Sequence, residues 1–219
     1  MRILFILSAF ILASNLLAQE KAGHYWEQHS INFRDGVFTN IDMVKKNSPI
    51  PSTWIVTDLE VNDRDFFKAV TKADEIVFYD DNGIKTALDT KSVWGYSHQG
   101  DLFINVGGAF HEMDIVGSIS HFYASRTTNY LNPMVGGYYT MDFWATQPLL
   151  VTARNEEYIV DIEENKVRKF DMNGLESVLK RDPQLWNDFM NSEQRDKKYL
   201  KYIFLHRYNK KYPLIIPSY

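Results

Sequence analysis

The chain has 219 residues, of which 45% are hydrophobic and 15% aromatic, and it carries a formal net charge of −4 at pH 7. Such a composition can bury a substantial core, which argues against intrinsic disorder. Cysteine is absent, so a disulfide framework is excluded and the core alone must hold the fold together.

Residues 1–18 have the layout of a secretory signal peptide. A positive charge at Arg2 precedes an apolar run from Ile3 to Ala13, and small and polar residues follow as far as Ala18. The apolar run is well short of the roughly 20 residues that a membrane-spanning helix needs. We therefore expect cleavage after Ala18 and export of the chain; an uncleaved anchor or a buried helix is the alternative.

Short elements are predicted between the signal peptide and residue 74. They are, in order, a strand at 36–38, a helical turn or two at 41–46 capped by Asn40, a strand at 54–61, and a short helix through Phe66, Phe67 and Val70 capped by Asp63.

Two hairpins are predicted between Glu75 and Val106. The strands at 76–79 and 84–88 flank Asn82-Gly83, a pair that accepts the positive φ angles of a tight turn. The strands at 93–97 and 102–106 flank a second turn around Gly100. The pattern indicates an antiparallel meander.

More strands are predicted as far as residue 171. They cover 109–123 with a bulge or strand end at Gly117, 138–144, 149–153, and a hairpin of 157–162 with 167–170; a loop is predicted at 126–137.

The apolar period then changes to that of helices. Asn173 is a plausible cap for a helix at 175–180, Asp182-Pro183 is a strong start for the next helix, and Ser192 opens a last helix that Pro213 ends. We therefore predict one α+β domain over 19–219, strand-rich at 33–171 and helical at 173–213. An open antiparallel meander, a partly closed barrel and a sandwich are all compatible with this pattern, followed by two or three helices.

His111, Glu112, Asp114 and His121 form the best candidate metal site. Two imidazoles and two carboxylates can ligate zinc or another divalent ion. The segment reads as a strand, so Glu112 and Asp114 are expected on the face opposite His111. A metal-assisted hydrolase built on these four residues is one hypothesis, and hydrogen-bonded structural residues are the alternative.

Other catalytic patterns fail on inspection. Ser118 and Ser120 lie beside His121 but lack the G-x-S-x-G elbow of serine hydrolases. Asp80 could open a calcium loop, but Lys91 occupies the position where a bidentate acid is needed. Phosphate loops and dinucleotide fingerprints are also missing, so we predict no cofactor.

Aromatic residues offer a candidate binding surface. Flat amphipathic rings make low-entropy contacts with glycans or peptides, although tryptophans spread along a chain also serve as core and rim residues. The candidates for such a groove are Trp94, Tyr96, Tyr138, Tyr139 and Trp144.

Residues 193–219 are basic, with seven Lys or Arg against Glu193 and Asp196. This tail could dock on the acidic body of the protein, form a solvated helix face, or contact a membrane surface. It lacks a motif that reads a nucleic-acid groove, so no nucleic-acid partner is predicted.

Several segments of the chain carry a resemblance to known proteins. They are the central meander with 91–96 (KSVWGY), 117–119 (GSI), and the tail from 182–189 (DPQLWNDF) through 207–213 (RYNKKYP). In these segments the chain resembles uncharacterised exported families of Bacteroides-like bacteria. Those families have no established activity, so the resemblance implies only a place in the periplasm or on the outer surface of a Gram-negative bacterium.

Two functions follow from the sequence. The preferred one is an exported, non-catalytic module that binds an envelope component or a protein partner. The other is the metal-assisted hydrolase.

Overall fold

The computed structural model describes residues 31–130, 150–193 and 197–217. The predicted signal peptide at 1–18 lies outside them. The strands are β1 Gly36–Phe38, β2 Ile50–Pro51, β3 Glu75–Tyr79, β4 Lys85–Asp89, β5 Gly95–His98, β6 Asp101–Val106, β7 Ala109–Ile115, β8 Ile119–Tyr130, β9 Leu150–Asp161 and β10 Lys166–Lys169. The α-helices are α1 Ile41–Lys45, α2 Phe66–Val70, α3 Met172–Leu179, α4 Pro183–Met190 and α5 Lys197–Lys211.

Eight of the strands form one antiparallel sheet in the order β10-β9-β8-β7-β6-β5-β1-β2, and β3 pairs with β4 in a separate hairpin. The predicted α+β class, an antiparallel meander followed by two or three C-terminal helices, is therefore confirmed, and the helices are α3, α4 and α5. The sheet is not closed into a barrel, because β10 and β2 are its two edge strands.

The sheet is strongly curved. β5 and β9 are four places apart in the strand order, which would separate them by about 19 Å in a flat sheet. Yet Trp94, which precedes β5, donates from Nε1 to Oδ1 of Asn165 in the β9–β10 turn over 2.8 Å. Lys45 in α1 also reaches Glu163 in the same turn over 3.1 Å. Side-chain contacts thus join the start of β5 and helix α1 to the β9–β10 turn, although β5 and β9 are not paired.

Two apolar clusters cover different halves of the sheet. Ile119 and Ile159 face the C-terminal helices and pack with Leu175, Leu179, Phe189, Phe204 and Leu205. Val37 and Tyr96 pack with Phe66, Phe67 and Ile76 of α2 and β3. Phe122 and Val160 are fully buried on the face opposite Ile119, so this part of the sheet is covered on both sides.

Several local predictions are confirmed at the residue level. Gly83 and Gly100 lie in the hairpin turns with φ of 73° and 91°, values that suit glycine. Asn40 caps α1 by accepting from Met43 N over 3.1 Å. Asp182 caps α4, whose first residue is Pro183.

Other local predictions are wrong. The predicted strand at 54–61 is a 3-10 turn at Ser52–Trp54 followed by one bridge of Ile55 to Phe78, because the polar residues after Val56 form turns. Asp171, not Asn173, caps α3 by accepting from Gly174 N.

The predicted loop at 126–137 is partly wrong, because residues 126–130 continue β8 and pair with β9. Threonines 127 and 128 are β-branched and suit a strand. The rest of that loop and the predicted strand at 138–144 lie outside the described residues.

Candidate functional site

The aromatic residues proposed as a binding groove are not brought together in the described structure. Tyr96 is only 6% exposed and stacks between Phe67 and Phe103, with ring centroids 4.9 and 4.5 Å away. Burial raises its pKa to about 12, with nearby carboxylates of Glu112 and Asp65 adding to the effect. Trp94 is half-buried at the Asn165 contact. Tyr138, Tyr139 and Trp144 lie outside the described residues.

The four candidate metal ligands do not converge on one point, because they lie on both faces of the sheet. The His111 ring stacks on Phe122, 5.8 Å between centroids, whereas His121 is the next residue along β8 and therefore faces the other side. Glu112 is exposed on β7. Only Asp114 and His121 meet, and no group of three or more His, Asp or Glu in the described part of the chain could hold a metal ion.

A β-bulge makes the Asp114–His121 pair. Met113 pairs with Phe122 and Ile115 pairs with His121, so Asp114 is the extra residue on β7. The bulge turns its carboxylate toward the imidazole, and Nδ1 of His121 donates to Oδ2 of Asp114 over 3.1 Å. A carboxylate oxygen that accepts from Nδ1 in this way fixes the tautomer of its histidine partner.

The other ring nitrogen of His121, Nε2, is enclosed by aromatic side chains. The side chain is 1% exposed, and Nε2 has no hydrogen-bond partner among the described residues. Tyr123, Phe170 and Tyr202 pack around the ring at 5.0 to 5.4 Å between centroids. Burial lowers the pKa of His121, opposed by the carboxylates of Asp114 and Glu157. A neutral imidazole without access to solvent cannot exchange a proton with a substrate in this arrangement.

A cleft of about 360 Å³ opens where β8 and β9 meet the ends of α3 and α5. Residues of distant parts of the chain line it. Its polar lining is Ser118, Asp161, Glu163 and Arg181, and its apolar and aromatic lining is Ile119, Tyr208, Tyr212 and Pro213.

Asp161 is a buried carboxylate on the polar side of the cleft, and its hydrogen bonds hold it in place. It is 1% exposed, and its Oδ1 accepts from the backbone N–H groups of Glu163 and Glu164, each over 3.0 Å. Its Oδ2 lies 2.6 Å from Nη1 of Arg181, whose Nη2 lies 2.8 Å from Glu164. Burial acts to lower the pKa of Arg181, but the carboxylates of Asp161 and Glu164 outweigh this effect and raise the pKa.

Asp182 positions Tyr212, which belongs to the aromatic lining of the cleft. Its side chain caps α4 and also receives Lys211 Nζ at 2.5 Å and the Tyr212 hydroxyl at 3.1 Å. The hydrogen bond from Lys211, with those from Leu185 N and Tyr212, lowers the pKa of Asp182 to about 2. One carboxylate therefore ties the start of α4 to the end of α5 and orients the Tyr212 ring.

Asn209 joins α5 to the β7–β8 turn. Its Oδ1 accepts from Ser118 Oγ and Ile119 N over 3.0 and 2.9 Å, and its Nδ2 donates to Ile119 O over 2.8 Å. Gly117 is required beneath it, because a Cβ there would lie 2.5 Å from Cγ of Asn209. The cleft thus forms where 117–119 meets 207–213.

Sequence reasoning identified Ser118 and Asp182 but gave neither a place in a cleft. It missed Asp161 and Arg181. An aspartate at a strand end that is followed by a turn is a known signal for side-chain acceptance from the turn backbone, so Asp161 could have been found. Arg181 carries no comparable signal.

Comparisons with protein-family models, with curated proteins and with solved structures gave no match to this chain. Within 31–130, 150–193 and 197–217, no helix has both the length and the apolar content to span a bilayer.

Proposed function

We propose that this chain is an exported, non-catalytic module that binds an envelope component or a protein partner through the cleft at Ser118, Arg181 and Tyr212. The cleft itself carries the proposal: its volume of about 360 Å³ falls in the usual range for ligand sites, about 300–1,000 Å³. Its polar groups are held by the fold before any ligand arrives, which lowers the entropy cost of binding.

The chemistry around the cleft favours binding over catalysis. The Ser118 hydroxyl donates to the Asn209 amide, which is not a base. The Asp114–His121 pair has the polarity of a general base, but its free nitrogen is enclosed by aromatic rings. The metal-assisted hydrolase has only that one pair of its four proposed ligands in contact.

Basic side chains of the C-terminal tail form ion pairs with acidic residues elsewhere in the protein. Lys201 pairs with Glu157, Arg207 with Asp188, and Lys211 with Asp182. These contacts support the hypothesis that the tail docks on the acidic body. Contact of α5 with a membrane surface stays a prediction, and liposome flotation that is unchanged by removal of residues 193–219 would argue against it.

Binding is tested with the purified mature chain on immobilised glycans, peptides and envelope lipids. We expect one class to be retained, and Tyr212→Ala to weaken that retention by about tenfold or more. Asn187→Ala changes an exposed residue of α4 that is not part of the cleft lining and serves as the matched control. Retention that is unchanged in Tyr212→Ala would mean that the cleft is not the binding site.

Export has its own test. The full chain with a C-terminal tag is expressed in a Gram-negative host, and the mature N-terminus is read by mass spectrometry. We expect a periplasmic or surface product that begins after Ala18. An uncleaved cytoplasmic product would refute this part of the proposal.

A further inference from the structure

The charges around the cleft are already neutralised by one another. Arg181 faces Asp161 and Glu164, and Arg168 also reaches Glu164 over 2.6 Å. At the rim, Lys45 pairs with Glu163, and Lys211 pairs with Asp182. A ligand with a net charge would have to compete with one of these ion pairs, and a neutral ligand would not.

Polar groups remain available to a neutral ligand. Arg181 has five N–H donors, and its side chain is 30% exposed. Ser118 Oγ donates to Asn209 but can still accept, and the Glu163 side chain is 84% exposed. Both donors and acceptors are therefore present on the polar side of the cleft.

A second, aromatic edge of the cleft adjoins Arg181, which is hydrogen-bonded to the Tyr208 side chain. The Tyr208 and Tyr212 rings lie 4.8 Å apart between centroids at an angle of 43°, and Pro213 continues this surface. Tyr212 is 41% exposed, whereas Tyr208 is buried at 6%. The Tyr212 hydroxyl is bound to Asp182, so the ring is held in place and its accessible surface can receive a ligand.

We infer that the cleft binds a neutral saccharide, an inference that rests on the proposed binding function. A pyranose ring has an apolar C–H face that can lie on an aromatic ring and a rim of hydroxyl groups that both donate and accept. Those two surfaces match the tyrosine edge and the Ser118–Arg181 edge. The same chemistry is offered by a free sugar and by a glycan chain.

The test is a titration of the ¹⁵N-labelled mature chain, followed by NMR, with neutral disaccharides and charged disaccharides of similar size. Neutral N,N′-diacetylchitobiose is compared with the cationic, deacetylated disaccharide, and lactose is compared with digalacturonate. We expect the neutral probes to shift the backbone signals of 117–119 and 208–213 and to bind about tenfold more tightly than the charged ones. A tetrasaccharide of N-acetylglucosamine separates a glycan chain, which would bind more tightly than the disaccharide, from a free sugar, which would not.

Three variants make the result specific. Tyr212→Ala should weaken neutral disaccharide binding by about tenfold or more. Tyr212→Phe keeps the ring and loses only the hydroxyl bond to Asp182, so it should weaken binding less than Tyr212→Ala does. Asn187→Ala should bind as the unmodified chain does. The ¹⁵N spectrum of each variant shows directly whether it is folded.

Each remaining outcome overturns a defined part of the argument. Tighter binding of a charged sugar or of a peptide at 117–119 and 208–213 refutes the saccharide inference and leaves the binding function standing. Saccharide shifts confined to other residues refute the cleft as the sugar site. If sugars, peptides and envelope lipids all leave the cleft signals unchanged, both the saccharide inference and the proposed binding function are refuted.

Discussion

Asn209 should be among the most sensitive polar residues of the protein, because it joins α5 to Ser118 and Ile119 through three hydrogen bonds. Asn209→Ala removes all three and leaves the backbone N–H and C=O of Ile119 without these partners. Ile119 is 1% exposed. A net loss of roughly 0.5–1.5 kcal/mol for each bond, with a further cost for buried groups left unpaired, predicts a loss of about 2–4 kcal/mol in the free energy of unfolding.

Urea unfolding followed by tryptophan fluorescence measures this loss, with an unchanged m-value as the sign of two-state behaviour. Asn187→Ala is the matched control on an exposed position of α4 and should stay within about 0.5 kcal/mol of the unmodified chain. If Asn209→Ala costs no more than Asn187→Ala, the Asn209 contacts do not hold α5 against Ser118 and Ile119.

Gly117 gives an independent check on the same contact. Gly117→Ala places a methyl group 2.5 Å from Cγ and Nδ2 of Asn209, so one of the two must move. We expect Gly117→Ala to cost about 1–3 kcal/mol by overpacking. Because Asn209→Ala removes the obstructing amide, the double variant should cost less than the sum of the two single changes. Strict additivity would show that the clash is absent in solution.

Three further results are expected. Asp182 has a pKa of about 2, below its ordinary 3.8, so the stability it confers is present above pH 3.8 and is lost as pH falls toward 2; acid titration of Asp182→Asn should show a smaller loss over that window. Trp94→Phe removes the hydrogen bond to Asn165 and should cost about 0.5–1.5 kcal/mol in urea unfolding, with no change as the contrary result. NMR titration should place the pKa of His121 below its ordinary 6.5, and Asp114→Asn should lower it further; a value above 6.5 would contradict the burial argument.

Features set by neighbouring residues could be predicted from the sequence. Asn82-Gly83 determines a turn through the φ angle that Gly83 accepts, and Asp182-Pro183 determines a helix start through a side-chain acceptor and a fixed φ. Both interactions close within four residues, so no knowledge of the fold is needed. The cap of α3 was misplaced because Asp171 and Asn173 have equivalent acceptor chemistry, and the choice depends on where β10 ends.

The pairing of Asp114 with His121 could not be predicted, because it depends on a bulge. Alternation along a regular strand places Glu112 and Asp114 on one face and leaves no reason to select one of them. The single extra residue between Met113 and Ile115 sets Asp114 against His121, and its register is fixed only when β8 is in place. The same residue types therefore suggest a metal site in the sequence but form a single contact in the structure, between the exposed carboxylate of Asp114 and the buried imidazole of His121.

The cleft could not be predicted from the sequence for a related reason: its walls belong to segments about 90 residues apart in the chain. Ser118 follows β7, whereas Tyr212 follows α5, and Asn209 brings the two segments together. The position of Tyr212 then depends on Asp182, which fixes the end of α5 to the start of α4. Because the aromatic edge is positioned by contacts that also stabilise the helices, loosening Asn209 should weaken ligand binding and protein stability together, whereas Tyr212→Ala should affect binding far more than stability.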